Sequence, residues 1–534
     1  MKEPSWKKIC RICLALTVAA AAVGPESLAS ALDGPDPLLD LFIRKGFVTQ
    51  EEAQNVKAEA DALRTNAAPS LGTTSKWKLS DGLKSVELFG DLRLRYEGRS
   101  VEDLKGGKID LSRWRASARV GLRGEVFENF YYGFRLDTAA NPRSAWVTLG
   151  SSSSGTPYQG PFGKSTDTIN IGLVNLGWRP TSWLDITLGK MSQPLYTTAM
   201  VWDTDINPEG AAERFKHTVG EVDFFANFGQ FLYQDENPNN ASGGLGFNGL
   251  TGQGTDNIFQ FAYQGGFNYH ITTNMSAKVA ATLYQYVGMQ RSTAQQPNAN
   301  SPYFGDPFVG EGAYLGPGTG TTYGSSGYGT SGSLAGYGSL GYPNNQVGLN
   351  DLLVLELPFE FNFKINKLDA RVFGDFSYNL EGGQRAEAAA AAYKVYLANQ
   401  STAATIAGFA PQKSDVKAYQ IGFALASEGN LGQGRASGSK KHAWEARAYW
   451  QHVEQYALDP NLLDSDFFEG RGNLEGLYAS LAYNIYENVV GTFRYGYANR
   501  INKNLGTGGS NQDIPQMNPI EHYNILQLDL TLKF

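Results

Sequence analysis

Residues Glu521 to Phe534 read E-H-Y-N-I-L-Q-L-D-L-T-L-K-F. Asn524, Leu526, Leu528, Leu530, Leu532 and Phe534 fall on one side of a strand. Tyr523, Ile525, Gln527, Asp529, Thr531 and Lys533 fall on the other. Strand side chains alternate faces, so one face is oily and the other mostly polar. A strand of a soluble sandwich shows the same alternation. The length of this stretch separates the two cases, as do about fifteen similar stretches upstream. A long two-faced strand repeated that often fits a closed sheet with lipid outside and water inside. The expected class is all-β: a transmembrane antiparallel β-barrel of about 16 strands.

Composition agrees. The chain has 534 residues and a formal charge of -7. Its mean hydropathy is below zero, too polar for a helical membrane protein. Beyond the N-terminus no stretch reaches the roughly 18 consecutive apolar residues of a membrane helix. Barrel strands alternate, so window hydropathy averages them away. Gly (62), Tyr (28) and Phe (29) are abundant, as glycine-rich loops and aromatic girdles require.

Residues 1–31 read as a secretion signal. Lys2, Lys7, Lys8 and Arg11 form a basic start, Ile12 to Val23 is apolar, and Ala29-Ser30-Ala31 is a small-x-small cleavage site. Both cysteines, Cys10 and Cys13, fall inside it. Their C-x-x-C spacing matches a redox motif, but the removed segment is no place for one. The mature chain then has no disulfide, no thiolate metal site and no thiol nucleophile. Residues 32–65 read as a periplasmic helical segment. Leu38, Leu39, Leu41, Phe42 and Ile43 make an apolar turn stopped by Gly46, and Thr49-Gln50-Glu51-Glu52 is a capping box. The stripe of Ala53, Val56, Ala60 and Leu63 could dock on the barrel, meet its copies or touch the cell wall. Residues 66–85 read as linker and 86–534 as the barrel.

In the first strand Val86, Leu88, Leu92, Leu94 and Tyr96 face one way, and Glu87, Asp91, Arg93, Arg95 and Glu97 the other. The gaps between strands supply an independent test, because every second connection of such a barrel is short. Phe127–Asn129, Arg179–Ser182, Val219–Gly220, Ile271–Thr273, Ile365–Lys367 and Tyr486–Glu487 are tight. Their alternates are long: Asn141–Asp167, Met191–Gly210, Gln234–Thr255, Gln290–Gly348, Gly382–Asp415, Asp459–Gly472 and Asn502–Pro519. Glu428–Lys441 is the misfit, longer than a turn where a turn is expected. Gln290–Gly348 is rich in Gly, Tyr, Ser and Pro, and Ala386–Ala392 predicts a short helix.

Charge on the lipid face at mid-membrane costs roughly 2–4 kcal/mol, so strand arginines must face the lumen. Arg93, Arg95, Arg113, Arg115, Arg119, Arg123 and Arg135 share the polar face of three neighbouring strands, and Arg371, Arg447 and Arg494 that of later ones. A guanidinium wall beside water favours anions. The alternative is pairing with Glu87, Asp91, Glu97, Glu125 and Asp137, which would simply stiffen the wall. A second constellation is the third long connection, which carries Asp203, Asp205 and Glu209. Asp203 and Glu209 could equally cap turns.

In these residues the chain resembles the putative porin family of Gram-negative outer membranes. The resemblance covers Leu38 to Phe534. It rests on G-D-L-R-L-R-Y-E (Gly90–Glu97), R-W-R-A-S-A-R-V (Arg113–Val120), Gly189-Lys190 and the W-D-x-D-x-N-P-E-G loop (Trp202–Gly210). The L-F-I-R-K-G-F-V-T-Q-E-E-A segment also fits. The resemblance implies passive passage of small, polar or anionic solutes through a large barrel. In trimeric porins generally the third loop narrows the pore, which would make Asp203, Asp205 and Glu209 an acidic lip opposite the arginines. Phe534 resembles the terminal aromatic read by the barrel-insertion machinery. Outer-membrane lipid, that machinery and small solutes are the expected partners, with a homotrimer one assembly open to it. The location implied is the outer membrane, with the N-terminal segment in the periplasm. No cofactor is expected, and the five histidines show no metal-ligand spacing. Net acidity and the secretion signal speak against nucleic acid. Two rivals stand beside the general pore: a selective channel for acidic saccharides or polysaccharide export, and an adhesin or structural barrel working through residues 290–348.

Overall fold

The computed structural model describes residues 82–102, 106–139, 144–150, 168–234, 258–287, 352–384, 386–387, 414–432, 440–503, 505, 507, 513–514 and 520–534. The helical segment expected at 32–65 and the 290–348 loop lie outside the described residues. Residues 382–384, 386 and 387 are helical where the alanine run begins; the rest of that run is outside them too.

The strands are β1 (Glu87–Glu102), β2 (Lys108–Glu125), β3 (Phe130–Ala139), β4 (Val147–Thr148), β5 (Thr168–Thr181), β6 (Leu184–Lys190), β7 (Glu209–Val219), β8 (Val222–Gln234) and β9 (Ile258–Thr272). They continue as β10 (Met275–Val287), β11 (Leu353–Glu356), β12 (Phe359–Ile365), β13 (Leu368–Asn379), β14 (Lys417–Ser427), β15 (Trp444–Val453), β16 (Leu474–Tyr486), β17 (Val489–Arg500) and β18 (His522–Lys533). All pairing is antiparallel, and β1 returns to pair with β18, so the sheet has no free edge. β3 and β4 both pair with β2 and occupy one place in the ring. β11 and β12 do the same between β10 and β13. Pro358 separates that second pair; lacking an N–H, it interrupts the ladder. The result is a closed barrel of 16 strands.

The two-residue rhythm sorts the faces as expected. Leu88, Leu92, Leu94, Trp114, Leu528, Leu530 and Leu532 lie on the outer face, while Arg93, Arg95, Glu97, Tyr523, Ile525 and Gln527 are buried on the inner one. Aromatic contacts such as Tyr96 with Trp114 and Trp183 with Phe215 lie among the outward side chains. Turns follow residue chemistry: Asn129, Gly220, Asn366 and Asn488 take positive φ between the strands they join. Phe534 extends the closing pair. Its N–H donates to Gly90 O at 3.1 Å and its carbonyl accepts from Gly90 N at 2.9 Å. A Cβ at Gly90 would lie 2.2 Å from Arg119 O and 2.8 Å from the Phe534 ring, so a side chain there would displace the closing contact.

The long β14–β15 connection has a structural reason. Gly432 N donates to the buried carboxylate of Glu445 at 2.6 Å, and Leu431 packs against the apolar cluster inside the barrel. Leu431 and Gly432 thus enter the lumen instead of turning at the rim.

Candidate functional site

Strand register stacks the inner charges. Arg95 stands opposite Asp529 and Arg115, and Glu97 opposite Arg113 and Gln527. Arg93 bonds Asp91 at 2.6 Å, Arg123 bonds Glu87 at 2.6 Å, and Arg135 bonds Asp137 at 2.6 Å. Arg119 bonds Asp91 at 2.9 Å and Asp205 at 3.2 Å. Glu97 is the hub. It lies 2.5 Å from Arg113, 3.1 Å from Arg99, 3.7 Å from Arg95 and 3.8 Å from Arg115, and accepts from Gln527 at 2.8 Å. Most of the arginine wall is therefore neutralised within the wall itself.

A second row is more open. Arg371 is registered with Ala424, Ala424 with Arg447, Arg447 with Ser480, and Ser480 with Arg494. Arginines on alternate strands, with small residues between, leave room in front of them. Arg494 bonds Asp529, and Arg371 reaches Asn362 at 2.7 Å and Glu360 at 3.5 Å. Arg447 lies over the rings of Phe373 (4.4 Å) and Tyr449 (5.2 Å).

Two connections fold into the lumen. Residues 191–208, between β6 and β7, cross it. Tyr196 N donates to Gln264 on β9 at 2.8 Å. Thr197 Oγ1 donates to Glu356 on β11, and Thr198 Oγ1 to Asp375 on β13, each at 2.5 Å. On the other side Asp205 meets Arg119 on β2. Residues 454–473, between β15 and β16, come in to meet them. Asp203 N donates to Leu462 O at 2.6 Å, and Asp203 Oδ2 accepts from Ser465 N at 3.1 Å and Ser465 Oγ at 2.9 Å. Asp203 thus caps loop amides, and Asp205 pairs with the wall. Glu209 stands apart: it begins β7, is exposed, and bonds Lys190 at 2.5 Å. Met200, Trp202, Leu462, Phe467 and Phe468 join Tyr449, Tyr478 and Ile525 of the wall in one apolar cluster. Beside it remains a cavity of about 410 Å³ lined by Arg371, Arg447, Arg494, Asp464 and Asp466 among others.

Sequence reasoning missed several of these groups. Arg99 shares the parity of Arg95 and bonds Glu97, Tyr523 (2.7 Å), Glu469 (3.3 Å) and Asp513 (3.0 Å). Asp466 bonds Arg95 at 2.7 Å, and Arg471 bonds Glu469 at 3.1 Å. The signal was L-L-D-S-D-F-F-E-G-R, Leu462 to Arg471: an outside loop has little reason to carry four large apolar residues.

The inward loops have unusual acids. Burial, with Asp464 and Asp205 nearby, holds Asp203 well above the usual carboxylate range. Burial and the neighbouring Asp466 push Asp464 up to about 7. Burial also opposes charge on Asp466, but Arg95 and Arg494 outweigh it and hold that group low. A carboxyl whose folded pKa is raised binds more protons in the folded loop than in the free one, so the loop seat weakens as pH rises from about 4 to 7. Proteolysis within residues 454–473 is expected to accelerate over that window, and Asp464→Asn is expected to flatten the dependence.

Among the described residues no group of His, Cys, Asp and Glu is arranged to hold a metal ion. The family model described as "Putative porin" matches residues 106–306. Over those residues the chain is similar to that family. Curated proteins offer no match to the chain. Among solved structures it is similar to OmpT, an outer membrane protein of Vibrio cholerae, at 10% identity and a TM-score of 0.37 over 85% of this chain and 100% of that one. It is also similar to an anion-selective porin from Comamonas acidovorans, at 8% identity and a TM-score of 0.38 over 84% of this chain and 99% of that one. The closed ladder from β1 to β18 shows the fold by itself.

Proposed function

We propose that the chain is an outer-membrane porin that passes small polar solutes, anions among them, down their gradients through a lumen narrowed by its own two loops. The observation that carries this is the open row Arg371–Ala424–Arg447–Ser480–Arg494 facing the 410 Å³ cavity. Diffusion needs no chemistry from the wall; selectivity comes from width and from fixed charge beside water. Asp203 and Asp205 act in this reading by seating the loop that narrows the path. Threading of a polysaccharide fits less well, because an apolar cluster fills part of the bore.

Bilayer conductance tests the reading: low unitary conductance with modest anion preference is expected, and wide, unselective conductance would overturn it. Arg447→Ser is expected to shift the reversal potential in a KCl gradient toward cations. Arg123→Ser should shift it far less, because Arg123 is exposed and already paired with Glu87. Equal shifts would mean that the open row has no special part in selectivity.

The N-terminal segment in the periplasm, a homotrimeric assembly, and Phe534 as the insertion signal belong to the same proposal. Protease accessibility in intact cells, sedimentation in detergent and a Phe534 deletion test them in turn.

A further inference from the structure

Six charged side chains line the lumen cavity: Glu360, Arg371, Arg447, Asp464, Asp466 and Arg494. Four have opposite charges at hand. Arg371 lies 3.5 Å from Glu360, Asp466 lies 2.7 Å from Arg95, and Arg494 bonds Asp529. Arg447 and Asp464 are different: among the described residues neither makes an ion pair, with each other or with any other group. Among the described residues, the Phe373 and Tyr449 rings lie beside the Arg447 guanidinium, and its buried Nε lacks a hydrogen-bond partner. Asp464 sits on the inward β15–β16 loop, where its Oδ1 accepts from Asp466 N at 3.0 Å and its own N–H donates to Ala199 O at 3.2 Å.

A cation on the wall and a carboxyl on the loop thus face one cavity without meeting. Half-buried charges with no ionic partner are incompletely compensated, and a molecule bearing both opposite charges would satisfy the two together. We infer that this cavity is a binding subsite for a small zwitterion, an α-amino acid in class, with its carboxylate toward Arg447 and its ammonium toward Asp464. Size agrees: 410 Å³ lies near the lower end of the roughly 300–1,000 Å³ of small-molecule sites. Tyr449 and Tyr478, both lining the cavity, give an apolar or aromatic side chain a surface to lie on. Burial, and after it repulsion by Asp466, holds the proton on Asp464, and an incoming ammonium offsets both. Passage of the bound solute rests on the porin reading; binding does not.

The test is calorimetry on the refolded full chain in detergent at about pH 8, where a free α-amino acid, whose amine is more basic than a peptide terminus, still carries both charges. The probes are L-phenylalanine, N-acetyl-phenylalanine, which keeps only the negative charge, and 2-phenylethylamine, which keeps only the positive one. L-phenylalanine is expected to bind at least about tenfold more tightly than either relative. Arg447→Gln should erase its advantage over the amine, and the near-isosteric Asp464→Asn its advantage over the acetylated form. Equal affinities for the three probes, no binding of any, or indifference to both substitutions would overturn the inference. Conductance is measured separately. Binding without conductance defeats the porin reading and leaves the subsite standing, and conductance without discrimination does the reverse.

Discussion

Glu97→Gln is expected to be the most damaging single substitution in the barrel wall, costing about 3–5 kcal/mol. The carboxylate is fully buried and lies within 3.8 Å of four arginines, Arg95, Arg99, Arg113 and Arg115. An amide keeps the shape and can still face Gln527, but it cannot balance positive charge. Breaking one side of a buried ionic network leaves the remaining charges uncompensated, which costs more than the network contributes as a whole. The measurement is the midpoint of heat-induced loss of the compact form on an unboiled gel. A midpoint equal to that of the parent would mean that the arginines are served by water, and that the hub is ornamental.

The second large effect concerns the β15–β16 connection. Replacing residues 456–471 by a short flexible turn is expected to raise unitary conductance severalfold and to sharpen anion preference. Two causes act together. The deletion removes Leu462, Leu463, Phe467 and Phe468 from the apolar cluster and opens the bore. It also takes away Asp466 and Glu469, which lie 2.7 Å from Arg95 and 3.3 Å from Arg99. Buried guanidinium groups would then face water. Unchanged conductance in a properly folded variant would place the permeation path away from this loop.

Much of this was legible in the chain. The alternation in β1 and β18 assigned lipid and lumen faces residue by residue, because a strand's period leaves no choice once one face is oily. Asn and Gly at the tight turns marked where strands reverse. What the chain did not display was the filling of the barrel. Strand periodicity says which way Arg95 points, yet nothing in it says that Asp466, 371 positions away, will be waiting there. The acidic loop was similar. Asp203, Asp205 and Glu209 lie close in sequence, but only the first two travel inward, because Glu209 already belongs to β7 and is held by Lys190. The β14–β15 misfit was visible as a length and made sense only once Leu431 was seen among interior side chains.

The ring is completed by partners more than 400 residues apart, with Arg95 gripping Asp529 across the join. Loop-closure entropy of that span must be overcome before the contact yields anything. Until the two meet, both margins of the sheet stay unsatisfied and adhesive. Assembly in this protein is accordingly expected to be slow, all-or-none near its end, and dependent on something that shields the open margins while the cylinder waits to shut.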